Sequence, residues 1–123
     1  MPRRDSRLRL QDIVEAIDRI LSYTASLSLE SFRADQRTVD AVVRNFEVIG
    51  EAARHVDDET CARCPGVPWQ DMRDMRNVLM HEYFGVSITI VWDTISRDLP
   101  SVRDALRAEL TRSESTPDEP SNS

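Results

Sequence analysis

The sequence predicts an all-α protein, an up-and-down bundle of about four to five helices. Apolar residues recur at helical spacing along most of the chain, and the segments between these stretches are short. Residues 86–91 form the one run that could also be a strand, and its helical neighbours favour a helix. A chain of 123 residues with 40% hydrophobic content supports one modest core, so we expect a single domain over residues 1–112.

Two long helices are predicted in the first half of the chain. The first covers residues 6–26, where apolar side chains recur every three or four positions between charged ones. Residues 27–34 are expected to form a connector with a short helical turn, after which Asp35 can cap the second helix. The apolar stripe of that second helix consists of Val39, Val42, Val43, Phe46, Ile49, Ala53 and Val56.

Residues 61–68 contain two prolines and a glycine, which predicts a loop, and the third helix is expected to start at Pro68-Trp69. The predicted loop holds Cys61 and Cys64 as a lone C-x2-C. A zinc site needs four ligands, and the nearest histidine has no second partner, so two ordinary reduced thiols are favoured over a metal or redox role. No cofactor and no bound metal are predicted.

Gly85 and a proline divide the rest of the chain. Ser87 can cap a fourth helix that continues to Leu99, and Pro100 is expected to begin a final helix. Residues 113–123 are rich in Ser, Glu, Asp and Pro and contain no large apolar residue. They cannot bury enough apolar surface to order themselves, which predicts a disordered acidic tail.

Charge and hydropathy argue against two broad classes of protein, those that bind nucleic acid over their whole surface and those that span a membrane. A formal net charge of -6 argues against binding nucleic acid over the whole surface, so any site for a polyanion must be local. All sixteen basic residues are Arg, which favours a compositional bias but also supplies forked donors suited to phosphate. No apolar run approaches the roughly 18 residues of a membrane span, and the N-terminus lacks the pattern of a signal peptide. We expect a soluble, cytoplasmic protein that does not enter a membrane.

The most informative stretch is residues 76–83, which places Arg76, Asn77, His81 and Tyr83 on one broad face of the third helix. Methionines and a leucine occupy the opposite side at the spacing of a stripe that packs on a core. A solvated helix surface is the alternative interpretation. A methionine interleaved among the polar groups favours an interface instead, and the simplest partner is a second copy that doubles the Arg and His groups around one cleft.

This stretch resembles the Arg-x4-His-x-Tyr motif of the HepT-like ribonuclease toxins in the HEPN superfamily. The resemblance covers roughly residues 7 to 110 and extends beyond the motif. It includes the segments LQDI at 10–13, RNFEVIGEAA at 44–53, PW at 68–69, HEYF at 81–84 and VW at 91–92. It implies a HEPN-like helical homodimer that cleaves RNA as a metal-independent endoribonuclease. It also implies a cognate nucleotidyltransferase antitoxin of the MntA type, which neutralises the toxin by attaching AMP to the motif tyrosine.

Carried over by position, the resemblance makes Arg76 and His81 catalytic, Asn77 a supporting residue and Tyr83 the acceptor of AMP. Arg73 shares the same face and can add a phosphate contact, although a solvated charge or an ion pair is an equally good interpretation. The motif shows no departure from the family pattern. A neighbouring aspartate, Asp74, stands where members often have a small residue, which affects only the expected packing of the helix.

Two other functions are open to the sequence alone. A non-catalytic HEPN dimer could bind a nucleotidyltransferase or a nucleotide through the same polar cleft, and a plain helical interaction protein would use none of the motif's chemistry. Glu47 and Glu51 stand one turn apart on the second helix and resemble a carboxylate pair. Further converging acids are needed to retain a metal, so both are interpreted as mainly structural.

Overall fold

The computed structural model describes residues 2–82 and 88–115, with side chains described for residues 5–75 and 88–112. All elements in these ranges are helical, which confirms the all-α prediction. They are α1 Pro2–Thr24, α2 Leu29–Ala34, α3 Gln36–Ala53, α4 Asp58–Arg63, α5 Trp69–Glu82, α6 Ile88–Asp93, a π-helical segment Thr94–Asp98 and α7 Leu99–Ser115.

The core lies where α1 packs against α3 and α7, and α3 extends it by packing against α5. The predicted apolar stripes of the first two long helices supply its most deeply buried side chains, because residues three or four apart lie on one face of a helix. Burial of these stripes removes the largest apolar area from water and so stabilises the bundle. The side chains of these stripes are Ile13, Ile17, Ile20, Val42, Phe46 and Ile49, and Leu106 of α7 belongs to the same core.

The predicted cap and connector are both confirmed. The Asp35 side chain accepts a hydrogen bond of 3.1 Å from the backbone N–H of Thr38, and this caps the start of α3. The predicted helical turn in the connector is helix α2, which Ser28 caps through the N–H of Ser31. Phe32 of α2 is fully buried, and its ring lies 5.2 Å from that of Trp92 on α6. The connector therefore packs as part of the bundle.

The prediction of a loop from residue 61 is wrong for its first three residues, because α4 continues to Arg63. The Asp57 side chain accepts a 2.7 Å hydrogen bond from the N–H of Thr60 and so caps the start of this short helix, which ends before the first proline of the segment. The backbone N–H of Asp57 donates to the Ser6 hydroxyl on α1 at 2.9 Å. These contacts fasten α4 to the first helix, so that Cys61 lies on a helix instead of in a loop.

The final helix predicted to begin at Pro100 is confirmed as α7, which starts one residue earlier at Leu99, and no break separates it from the helical segment before it. The Leu99 N–H donates to the Thr94 carbonyl, and Leu99 itself has helical dihedral angles, so the chain continues from the π-helical segment into α7. A proline lacks an N–H, and its ring clashes with the carbonyl four residues earlier in a regular helix. The wider π turn just before Pro100 separates these groups, which explains why the helix survives. The predicted break at Gly85 and cap at Ser87 lie outside the described residues.

Helix α7 is held by a buried carboxylate. Glu109 accepts a 2.8 Å bond from Arg63 Nε, which joins α4 to α7, and a 3.2 Å bond from Arg112 Nη2 within α7. Burial alone would raise the pKa of Glu109, but the hydrogen bonds and charges of the two arginines outweigh it and lower the pKa. Helix α7 ends at Ser115, beyond the domain boundary predicted after residue 112, and residues 116–123 lie outside the described residues. Within the described ranges, none of the helices combines the length and apolar character that crossing a bilayer requires.

Candidate active site

The candidate site is built on α5, whose first turn is fixed by the residues Pro68 and Trp69. The Pro68 carbonyl accepts from the N–H of Met72 at 3.0 Å, which confirms the predicted start of this helix. The buried indole Nε1 of Trp69 donates to the Cys64 carbonyl at 3.1 Å. This bond anchors the start of α5 to the segment that follows α4, because an unpaired indole N–H would be costly to bury.

One side of α5 packs on the core as the sequence predicts. Met72 is buried, and Met75 is partly buried against the same core. Successive helix positions turn by about 100°, so the Arg73 and Asn77 positions lie about 160° around the helix from Met75. By the same geometry the His81 position lies about 120° and the Arg76 position about 100° from Met75.

The core side of α5 also borders a cavity of about 360 Å³. Its walls are mostly apolar, and three exposed aspartates, Asp71, Asp74 and Asp98, stand among them. Their charge repels phosphate, so this cavity does not suit RNA. The remaining lining comes from Pro68, which precedes α5, and from α1, α3, α5, α6, the π-helical segment and α7: Ile17, Phe46, Ile49, Met72, Met75, Ile90, Val91, Thr94, Leu99 and Val102.

No cavity was predicted at this side of α5. Asp71 and Asp74 stand three residues apart beside the methionine stripe, and that spacing could have indicated an acidic edge. Asp98 comes from the π-helical segment, and no local pattern links it to the other two.

The backbone of α5 carries three of the predicted motif residues. Arg76, Asn77 and His81 all belong to Trp69–Glu82, so the run of the motif up to His81 is helical as expected. Their side chains are not among the described ones, and Tyr83 lies outside the described residues. The roles predicted for these four residues therefore stay predictions.

Arg73 is the one predicted site residue with a described side chain, and this side chain forms hydrogen bonds to α3 and α4. Its Nε donates to the Ala53 carbonyl at 3.1 Å, at the end of α3, and its Nη2 donates to the Cys61 sulfur on α4 at 3.2 Å. Its predicted phosphate contact remains untested. Sequence reasoning could not find these partners, because they lie 20 and 12 residues away along the chain.

The two cysteines are free thiols whose surroundings do not favour the thiolate. Burial raises the pKa of Cys61, although the Arg73 guanidinium acts in the opposite direction. Burial also raises the pKa of Cys64, and the nearby Glu109 carboxylate reinforces that shift. Both thiols are therefore protonated near neutral pH and poor nucleophiles.

The described acidic side chains of α3 pair locally. Glu51 lies 3.1 Å from the His55 ring, and Glu47 lies 3.8 Å from Arg44. Across the described residues, no group of three or more His, Cys, Asp or Glu side chains is placed to hold a metal ion.

Comparison with known protein families decides the class of this chain. The model of the family described as "Ribonuclease HepT-like" matches residues 13–109, which include α3 and all of α5. The chain belongs to this HepT-like ribonuclease family. Its enzyme class is therefore that of a ribonuclease, and the resemblance found in the sequence is confirmed.

Individual relatives of this HepT-like chain agree. A Thermococcus cleftensis protein named "Probable ribonuclease HepT" is 39% identical over 94 residues, which cover 76% of this chain and 86% of the relative. A Methanocaldococcus jannaschii protein whose name proposes an RNase is 37% identical and covers 82% of this chain and 84% of its own length. A Caldanaerobacter subterraneus protein, named in the same way, is 32% identical over 84% of this chain and 92% of its own length. No solved structure matches the chain significantly.

Proposed function

We propose that this HepT-like protein is the toxin of a toxin-antitoxin system and acts as a metal-independent endoribonuclease through Arg76 and His81. The observation that carries the proposal is the Arg-x4-His-x-Tyr spacing of the sequence, whose Arg76 and His81 lie on α5, in a chain that belongs to a ribonuclease family. An arginine and a histidine supply the charge stabilisation and the proton transfer that RNA cleavage needs.

RNA carries its own nucleophile, which limits what the enzyme must provide. A base removes the proton of the 2′-hydroxyl, the 2′-oxygen attacks the adjacent phosphorus, and an acid protonates the departing 5′-oxygen. The products are a 2′,3′-cyclic phosphate and a 5′-hydroxyl. His81 suits both proton transfers, because the reference pKa of histidine is about 6.5. Arg76 can hold two phosphate oxygens and so stabilise the charge that builds up on phosphorus.

The two proton transfers favour a homodimer. The chain contains only two histidines, and His55 lies near the end of α3, where its ring pairs with Glu51. A two-fold pair of α5 helices could offer His81 from both copies, one as base and the other as acid. Asn77 stands one turn before His81 and can orient its ring through a hydrogen bond. Light scattering of the purified protein tests the dimer, and a monomer that retains full activity would contradict it.

The decisive experiment replaces each histidine in turn and measures RNA cleavage in EDTA. His81→Ala should abolish cleavage, whereas the matched control His55→Ala should cut RNA at the wild-type rate. Circular dichroism should show both variants folded. Full activity of His81→Ala would remove the proposed mechanism, and loss of wild-type cleavage in EDTA would point to a metal.

Regulation by AMP is the second part of the proposal. Attachment of AMP to Tyr83 would place bulk and a negative phosphate beside Arg76 and His81, and that charge would repel RNA. The cognate partner is expected to be a nucleotidyltransferase of the MntA type. With that partner and ATP, the protein should gain the mass of one or more AMP units and lose its activity.

Two tyrosines allow a matched control for this modification. Tyr83→Phe should abolish the mass gain, whereas Tyr23→Phe, which alters a partly exposed tyrosine on α1, should not change it. Labelling that persists in Tyr83→Phe would move the acceptor elsewhere. Tight binding of the nucleotidyltransferase without any RNA cleavage would favour the alternative, a non-catalytic dimer.

A further inference from the structure

We propose that Arg73 is a positioning residue that sets the placement of α5, and through it that of Arg76 and His81. The inference rests on the proposed function, because it concerns the residues to which that function assigns the chemistry. This role takes the place of the phosphate contact predicted for Arg73.

The first contact of Arg73 is with the end of α3. The Ala53 carbonyl accepts a long 3.4 Å bond from the N–H of Val56 and a shorter 3.1 Å bond from Arg73 Nε. The last carbonyls of a helix lack partners within the helix and carry partial negative charge. A guanidinium is therefore both a hydrogen-bond donor and a favourable charge at this position.

The second contact is with α4. The Cys61 sulfur accepts from Arg73 Nη2 at 3.2 Å, and it lies 3.9 Å from the Val56 carbonyl, to which its thiol donates. Burial raises the pKa of Cys61, so the thiol keeps the proton that this arrangement requires. One planar fork thus joins α5 to two separate elements, and its two donors point in fixed directions.

Because Arg73 lies on α5 just before the motif residues, its contacts with α3 and α4 can set where those residues lie. Arg73 is partly buried and stands about one turn before Arg76 and Asn77. The indole of Trp69 fixes the first turn of the helix to Cys64, and the guanidinium fixes the next turn to α3 and α4. Together the two contacts resist both sliding and rotation of α5. A misplacement of about 1 Å in a catalytic helix can reduce a rate by as much as about a hundredfold.

The kinetic test uses Arg73→Lys, which keeps the charge but cannot donate in both directions. A positioning role predicts that kcat for RNA cleavage falls by about tenfold or more, while KM and its salt dependence stay within about twofold of wild type. A phosphate contact predicts the reverse. Arg73→Ala would then raise KM and reduce the dependence of RNA binding on salt by about one phosphate contact, and Arg73→Lys would largely retain activity. The latter result would overturn the inference.

Cys61 provides a second variant that leaves Arg73 in place. Cys61→Ala removes one acceptor of the fork and should lower kcat in the same direction by a smaller factor, about threefold. Cys61→Ser restores an oxygen acceptor and should recover part of this loss. Equal kinetics for wild type, Cys61→Ala and Cys61→Ser, together with unchanged kinetics for Arg73→Lys, would contradict the role.

A readout without RNA separates failure of this inference from failure of the proposed function. The ring resonances of His81 can be assigned by NMR against the His81→Ala variant and followed in the free protein. Arg73→Lys should shift them, whereas Arg97→Lys, a change to an exposed arginine of the π-helical segment, should not. Unshifted His81 resonances in Arg73→Lys would overturn the positioning role, even if the protein never cleaves RNA.

Discussion

The two sides of helix α5 differ in charge and in what they contact. The core side carries Met72 and Met75 beside a mostly apolar cavity, where the described charges are the carboxylates of three aspartates. On the other side, the guanidinium of Arg73 contacts the last residue of α3 and the Cys61 sulfur on α4. The carboxylates of the first side repel a polyanion such as RNA. The proposed RNA site is therefore expected on the other side of the helix, at the motif positions that follow Arg73.

This contrast also separates stability from chemistry. The core side should contribute most to the free energy of unfolding, because it holds buried apolar groups. The side with Arg73, and the motif positions that follow it, should control RNA cleavage. The division would be contradicted if variants on the core side changed RNA cleavage directly, or if variants on the side with Arg73 changed mainly the stability of the fold.

The largest effect on stability is expected from Met72→Ala. Met72 is 6% exposed and borders the cavity, so truncation enlarges an existing void and should lower the free energy of unfolding by about 2–3 kcal/mol. Ile90→Ala is the control, because Ile90 lines the same cavity but is 62% exposed, and it should change stability by less than about 0.5 kcal/mol. Urea denaturation measures both. Equal losses for the two variants would show that the cavity wall does not act as core.

A smaller effect is expected from the three aspartates of the cavity. Replacing Asp71, Asp74 and Asp98 by Asn changes the net charge from -6 to -3, because three carboxylates are removed. The KM for RNA should fall by about twofold at low ionic strength and match that of wild type in high salt, since screening weakens a distant charge. The kcat should not change. A large fall in kcat would show that the acidic side takes part in the reaction.

The sequence predicted the long helices well, because their apolar spacing is a local pattern. Asp35 was recognised as a cap, and Pro68-Trp69 as a helix start, for the same reason. The short helix α4 was not predicted, although Asp57 stands at its start as a capping residue, because two prolines and a glycine indicated only a loop from residue 61. Continuation of the helix past Pro100 depends on a π turn, whose wider hydrogen bonding no residue pattern in this chain revealed.

The candidate site divides in the same way. The spacing of Arg76 and His81 can be predicted from the sequence, because it is set within one helix. The partners of Arg73 cannot, because a backbone carbonyl and a thiol from two other elements are brought together only by the packing of α3, α4 and α5. The cavity arises likewise from side chains of several helices.

The proposed catalytic role of Arg76 can be measured by comparing two arginines in one cleavage assay. A single RNA oligonucleotide is incubated in EDTA with wild-type protein, Arg76→Ala and Arg97→Ala, and initial rates are measured at saturating RNA. Arg76→Ala should be slower by about a hundredfold or more, as expected when a donor to the transition state is removed, while Arg97→Ala should stay within about twofold of wild type. Equal rates for all three proteins would show that Arg76 takes no part in catalysis.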